Sequence, residues 1–218
     1  MAGGFVSTSV AKLRDAGDKR LRYPKKARAL TICPQSPLLL RTLFALACSC
    51  VLVAAPQPTR AQGIVSEVKI GGLYHDPGDL WSGFRLERPT TVLNTEVVFS
   101  PHVRFLGGVV RPALGATFNF IGGTSKAYID ARWELETASG IFIALGVGAA
   151  IHDGTVGPTD PIRKALGSRV LFHFPAELGW RWDGHNSVSL YFEHVSNGYT
   201  QDVNEGLDAI GMRYGYKF

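Results

Sequence analysis

A histidine, a serine and a carboxylate near the C-terminus could together carry out acyl transfer. His194 and Ser196 lie two positions apart, and Asp208 follows further along the chain. In such a trio the serine attacks an ester carbonyl, the histidine accepts its proton, and the acid fixes the histidine tautomer. The sequence contains no G-x-S-x-G, H-E-x-x-H, C-x-x-C or phosphate-binding glycine motif, so no other motif competes for the catalytic role.

The alternation of side chains along two neighbouring strands places this trio on one face. On a strand over residues 187–196, His194 and Ser196 continue an outward apolar row. Asp208 lies on the matching face of a strand over residues 206–218, the antiparallel neighbour of the first. Residues two apart on a strand are separated by about 6.5–7 Å, so a hydrogen bond between the histidine and the serine requires their side chains to lean together.

The chain after residue 61 alternates apolar residues with polar or small ones, which is the pattern of β-strands. Ile129 and Trp133, for example, share an apolar face, whereas Asp130 and Arg132 share the opposite face. No segment shows sustained helical periodicity. The alternation predicts eight strands, over residues 64–74, 91–99, 107–119, 126–136, 141–151, 168–182, 187–196 and 206–218.

These strands fit either a soluble sandwich or an outer-membrane barrel whose apolar face meets lipid. Their length suits a tilted crossing of a bilayer, and aromatic residues collect at strand ends, as at an interfacial girdle. The opposite face mixes acids and bases, as expected in a small barrel filled by a polar network: Asp130, Arg132, Glu134, His173, Glu177 and Arg181. We therefore predict an all-β fold, an eight-stranded antiparallel transmembrane barrel of the outer membrane.

The connections between the predicted strands alternate in length. The segments 75–90, 152–167 and 197–205 are long, whereas 100–106, 137–140 and 183–186 are short, and 120–125 is a short member of the first set. Long external loops and short periplasmic turns are typical of such barrels, with both termini in the periplasm. The trio then lies at the outer lipid boundary, where polar residues on the lipid face are costly unless they have a function.

The first 61 residues have the pattern of a targeting segment. Arg41 precedes an apolar run over residues 42–55, and a polar stretch ends in Thr59-Arg60-Ala61. This order predicts a signal peptide cleaved after Ala61, because the apolar run is too short for a transmembrane helix. We divide the chain into a basic leader and signal peptide, residues 1–61, and a barrel, residues 62–218.

The overall basic charge comes from this leader. It holds 10 of the 23 basic and 2 of the 18 acidic residues, so the remainder has a net charge of about −3, which gives no reason to expect nucleic acid as a partner. All three cysteines also lie in the leader.

We assign His173 to the barrel interior. The other histidines outside the trio lack the spacing of metal ligands, and we expect them to be structural or solvated: His75, His102, His152 and His185.

The C-terminal segment FEHVSNGYTQDVNEGLDAIGMRYGYKF, residues 192–218, resembles the signature of the lipid A 3-O-deacylase (PagL, acyloxyacyl hydrolase) family. The family pattern is His-x-Ser-Asn, then Asn-x-Gly, then a carboxylate two residues after the glycine. The matching positions are His194, Ser196, Asn197, Asn204, Gly206 and Asp208. The strand count, the body length and the terminal phenylalanine agree with this resemblance.

The resemblance implies a role for each matching residue. His194 is the base and Ser196 the nucleophile, while Asn197 and Asn204, with Gly206 beside them, support the site or its oxyanion hole. Asp208 departs from the family pattern, in which a glutamate stands at this position. The alternative acids are Glu205 in the following loop and, less favourably because it points to the other face, Glu193.

The implied reaction is hydrolysis of the acyl ester at position 3 of the lipid A glucosamine, with release of a 3-hydroxy fatty acid. The implied partners are lipid A or lipopolysaccharide and the lipids of a Gram-negative outer membrane, without a metal or a cofactor, and a homodimer is left open. Two alternatives remain. One is a non-enzymatic small barrel with an adhesive or membrane-stabilising role, and the other is a different lipid A acyl-chain enzyme, such as an acyltransferase.

Overall fold

The computed structural model describes residues 63–218, and this part of the chain is built from β-strands. The predicted signal peptide, with its cleavage position, lies outside the described residues. The strands are β1 (Val65–His75), β2 (Thr91–Phe99), β3 (Val103–Phe105), β4 (Gly108–Phe118), β5 (Lys126–Glu136), β6 (Ile141–His152), β7 (Val170–Arg181), β8 (Asn186–Ser196) and β9 (Leu207–Lys217). Over residues 63–218, no helix is long and apolar enough to cross a membrane.

Eight of the strands close into an antiparallel barrel. Consecutive strands from β4 to β9 are hydrogen-bonded neighbours, β9 pairs with β1, β1 pairs with β2, and β2 pairs with β4. This closure leaves no open strand edge among the eight and confirms the predicted barrel. We call the end that carries both ends of the described chain the turn end, and the opposite end the loop end.

The short strand β3 was not predicted, because the segment 100–106 was expected to be a turn. In the structure Val103 pairs with Val110 and Phe105 with Gly108, so β3 extends a hairpin with β4 at the turn end. The hairpin closes through Leu106 and Gly107, with φ of 46° and 77°. Positive φ at both central residues is typical of a type I′ turn. An Asn-Gly pair would have predicted this hairpin from the sequence, whereas Leu-Gly does not.

The outward face of the barrel is apolar and the interior is charged. Ile129 and Leu145 are 60% and 53% exposed, whereas their neighbours Asp130 and Ala144 point inward and are buried. A soluble sandwich would have the opposite arrangement. The inverted pattern agrees with the predicted barrel in lipid.

The interior charges are paired with one another. The carboxylate of Glu177 accepts hydrogen bonds from Lys69 (3.0 Å), Arg132 (2.6 Å) and Arg213 (2.6 Å). Buried charges are tolerated only when they are compensated in this way. A second cluster joins Glu193 to the Lys126 ammonium at 2.7 Å and to the His173 ring at 3.2 Å, which confirms that Glu193 and His173 belong to the interior.

Candidate active site

The register of β8 and β9 brings the predicted base and acid together. His194 is directly opposite Asp208, and the Nδ1 atom of His194 lies 2.6 Å from the Oδ1 atom of Asp208. A carboxylate can only accept, so Nδ1 carries a proton, and in the neutral ring Nε2 then presents its lone pair. This is the tautomer that a catalytic base requires.

The outward alternation predicted for these residues is present, although their side chains are shielded. His194 and Asp208 follow the exposed Leu190 and Met212 on the outward face but are 3% and 0% exposed. The cover comes from the loop between β1 and β2, residues 76–90, which we call loop A. A polar pair on the lipid face is thus removed from lipid by part of the chain itself.

Loop A contacts both members of the pair. The Trp81 ring stacks on the His194 ring with a centroid distance of 4.3 Å and an interplanar angle of 8°. The backbone N–H and the hydroxyl of Ser82 donate to the Oδ2 atom of Asp208 at 2.7 and 2.9 Å. Sequence reasoning identified loop A only as a long external loop, because neither residue belongs to a periodic pattern or a motif.

Ser196 lies two residues beyond His194 at the end of β8, opposite Phe172 of β7. It is 9% exposed, so it is the most accessible member of the trio. Within residues 63–218 no hydrogen bond joins the Ser196 side chain to that of His194, as the spacing along a strand leads us to expect. Catalytic hydrogen bonds are often long without substrate, and this geometry is compatible with a serine nucleophile.

The two predicted supporting asparagines bind each other and the loops. The Asn197 backbone N–H donates to Asn204 Oδ1 at 3.0 Å, and the Asn197 amide donates to the carbonyl oxygens of Leu166 (3.0 Å) and Val203 (2.6 Å). Both amide hydrogens are therefore engaged in fixing the backbone next to Ser196. A place for these residues in an oxyanion hole stays a prediction.

Gly206 is tightly packed against the histidine. Its φ is +62°, and a Cβ atom added there would lie 3.0 Å from Cε1 of His194. A left-handed conformation and the close imidazole both favour glycine at this position. Glycine at position 206 thus leaves room for the imidazole ring, and its role in supporting catalysis stays a prediction.

The alternative acid does not lie against the histidine. Glu205 Oε2 accepts from the backbone N–H of Ala165 at 2.6 Å, which ties the β8–β9 loop to the β6–β7 loop. Of the candidate acids, Asp208 is the one that is hydrogen-bonded to His194. Within residues 63–218, no cluster of three or more His, Cys, Asp or Glu side chains could hold a metal ion.

Comparison with known proteins agrees with the fold and with the predicted family. A family model described as lipid A 3-O-deacylase (PagL) matches residues 65–217. The curated protein lipid A deacylase PagL of Bordetella bronchiseptica (strain ATCC BAA-588 / NCTC 13252 / RB50) is 29% identical over 194 residues, which cover 84% of this chain and 96% of that protein. The crystal structure of the outer membrane enzyme PagL matches with a TM-score of 0.53 and 17% identity, over 70% of this chain and 100% of that one.

Proposed function

The chain belongs to the lipid A 3-O-deacylase (PagL) family, and on this basis we propose that it hydrolyses the acyl ester at position 3 of the lipid A glucosamine. The products are a free 3-hydroxy fatty acid and a lipid A that has lost one acyl chain. The name of the Bordetella relative supports the substrate. The barrel fold, shared with an outer membrane enzyme, supports action in that membrane.

The hydrogen bond between His194 and Asp208 is the observation that carries the proposed chemistry. It leaves Nε2 of His194 free to take the hydroxyl proton of Ser196. A serine oxygen activated in this way attacks the ester carbonyl carbon. The buried carboxylate of Asp208 then stabilises the imidazolium that forms.

The reaction proceeds through two acyl transfers. As the tetrahedral intermediate collapses, the ester C–O bond breaks, and Nε2 returns its proton to the departing hydroxyl oxygen of the sugar. A water molecule, deprotonated by the same Nε2 atom, attacks the acyl-serine carbonyl. The Ser196 oxygen leaves and regains the proton, and the fatty acid is released.

The location of the trio suits this substrate. Ser196 lies on the outward face at the loop end, beyond the apolar rows that meet lipid. The ester bonds of lipid A lie between the sugar head group and the hydrocarbon. A site at this depth reaches the ester while the substrate stays in the bilayer.

The test compares lipid A before and after incubation with the purified barrel in mixed micelles. We expect the wild type to remove one 3-hydroxyacyl chain, seen by mass spectrometry, and Ser196→Ala to remove none. Ser168→Ala is the matched control, because Ser168 is another loop-end serine, and among residues 63–218 its hydroxyl is bonded only to the Val170 backbone N–H, which it accepts at 3.3 Å. It should remain active.

The alternatives give different spectra. A non-enzymatic barrel leaves lipid A unchanged with every variant. An acyltransferase adds a chain when a phospholipid donor is present. Either result from a folded wild-type barrel would contradict the proposed function.

A further inference from the structure

Loop A is anchored directly on the proposed catalytic acid. The backbone N–H of Asp76 donates to the carbonyl oxygen of Asp208 at 3.0 Å. Ser82 adds its backbone N–H and its hydroxyl, both to Oδ2 of the same aspartate. The first of these bonds continues the main-chain pairing of β1 with β9, whereas the two from Ser82 end on the side chain, so loop A also orients the carboxylate.

A lysine from another loop completes this arrangement. Lys164, between β6 and β7, is fully buried, and its ammonium lies 2.9 Å from the Ser82 hydroxyl oxygen and 2.9 Å from Oδ1 of Asp76. The ammonium also lies 4.6 Å from the centroid of the Phe84 ring. Burial of an ammonium is costly unless it is compensated, and here loop A supplies the carboxylate and the hydroxyl that compensate it.

The hydrogen bonds from Lys164 through Ser82 to Asp208 can run in one direction only, because an ammonium only donates and a carboxylate only accepts. An ammonium can only donate, so the Ser82 oxygen accepts from Lys164, and the single hydroxyl proton of Ser82 points to Asp208. With Oδ2 held by two donors, Oδ1 is directed at Nδ1 of His194. An aspartate has a shorter reach than a glutamate, and this second set of contacts fixes its orientation from the other side.

We propose that Ser82 is a positioning residue for Asp208 and that Lys164 holds the Ser82 hydroxyl in the donating direction, so that these two side chains set the orientation of the proposed catalytic acid. This inference rests on the proposed function, because positioning has meaning only if Asp208 serves His194. Ser82 and Lys164 act through the acid and do not touch the reacting ester.

Ser82→Ala is the first test, because it removes the hydroxyl and leaves the backbone donor in place. We expect kcat for lipid A deacylation to fall about tenfold, the effect of losing one hydrogen bond to a charged group, with KM unchanged. Ser82→Thr keeps a hydroxyl and should retain most of the rate. The matched control is Ser125→Ala, in which another half-buried loop-end serine loses its contact with the Asn119 backbone N–H.

The second test removes the cation. Since Lys164→Met alone would leave the Oδ1 atom of Asp76 buried without its cation, the variant combines Lys164→Met with Asp76→Asn. We expect its kcat to fall at least as far as that of Ser82→Ala, because the hydroxyl is then free to turn away from Asp208. Retention of the wild-type kcat in a folded double variant would overturn the role of Lys164.

A third measurement follows the His194 ring itself, by NMR titration of histidine-labelled barrel in detergent. The charged groups near the ring are Asp208 and, through Ser82, the pair of Lys164 and Asp76, while β7 contributes the uncharged Phe174. Loss of the Ser82 hydroxyl makes the carboxylate a stronger acceptor, so the midpoint of His194 should rise in Ser82→Ala and stay unchanged in Ser125→Ala. A loop with a purely structural role would leave this midpoint unchanged.

The readouts separate the two proposals. A wild type without deacylation contradicts the proposed function, and the His194 titration still decides whether Ser82 controls the acid. An active wild type, with Ser82→Ala equal to Ser125→Ala in both kcat and titration midpoint, overturns the positioning role and leaves the proposed function intact.

Discussion

Asp208 is the residue on which the contacts of the site converge. Its two carboxylate oxygens divide their partners, with His194 on one and Ser82 on the other. A carboxylate held on both sides cannot rotate freely, which suits the role proposed for Asp208, in which the acid keeps one histidine tautomer throughout the reaction.

Substitutions at Asp208 test its identity as the acid. Asp208→Asn should lower kcat at least about tenfold, though by less than Ser196→Ala, because the amide no longer stabilises an imidazolium. Asp208→Glu introduces the glutamate of the family pattern, and its kcat should stay within about tenfold of the wild-type value. Rates are measured by release of 3-hydroxy fatty acid. An unchanged rate in Asp208→Asn together with an inactive Glu205→Gln would assign the acid to Glu205 instead.

Trp81 contributes through its stacking on the imidazole. Aromatic pairs of this kind are worth about 0.5–1.5 kcal/mol, so Trp81→Ala should lower kcat roughly threefold to tenfold, whereas Trp81→Phe should lower it less. The control is Trp180→Ala, which removes an exposed tryptophan of the turn end. Equal rates in Trp81→Ala and Trp180→Ala would show that stacking does not hold the ring.

At the scale of elements, the Glu87 carboxylate joins loop A to the end of β1 and to the loop between β4 and β5. Glu87 accepts from the His75 ring at 2.7 Å and from the backbone N–H and hydroxyl of Thr124 at 2.8 and 2.7 Å. Burial by itself would raise the pKa of Glu87, but the hydrogen bonds from His75 and Thr124 outweigh it and lower this pKa to about 2. The carboxylate therefore stabilises the loop in its ionised form.

The lowered pKa predicts how the loop responds to acid. A folded-state pKa below the unfolded value contributes stability above pH of about 4.5, on the order of 3 kcal/mol, which is lost as the pH falls toward 2. The protection of the amides around residues 119–125, taken as their exchange rate relative to that of an unstructured peptide at the same pH, should therefore fall over that window. In Glu87→Gln this protection should be low already at neutral pH, whereas in Glu136→Gln, at the turn end, it should equal that of the wild type. Protection that does not change from pH 5 to pH 2 in the wild type would contradict this role of Glu87.

The elements differ in how far the sequence predicts them. Alternation predicted every strand of the closed barrel, because the lipid outside and the ion pairs inside impose a strict period of two, as at Ile129 and Asp130. The same period predicted that His194 and Asp208 share a face. It could not predict Ser82 or Lys164, which lie in long connections where tertiary contacts alone set the conformation.

At the scale of the whole molecule, the inner face of the barrel holds the buried ion pairs, and the outward face at the loop end holds the proposed site. The interior ion pairs around Glu177 fill the barrel with mutually compensated charge, and the outward-facing residues at the loop end take no part in these pairs. Those residues are then free to carry chemistry at the lipid boundary. This division is the reason that we expect Ser196→Ala to leave a folded barrel.

The most direct measurement of the central claim is the site of covalent modification by a long-chain fluorophosphonate, which traps an activated serine. Mass spectrometry of the treated wild-type barrel should show one adduct, located on Ser196. The adduct should be absent in Ser196→Ala and strongly slowed in His194→Ala, because the serine is then not activated. A barrel that deacylates lipid A but carries no adduct on Ser196, or that carries it on another serine, would contradict the account.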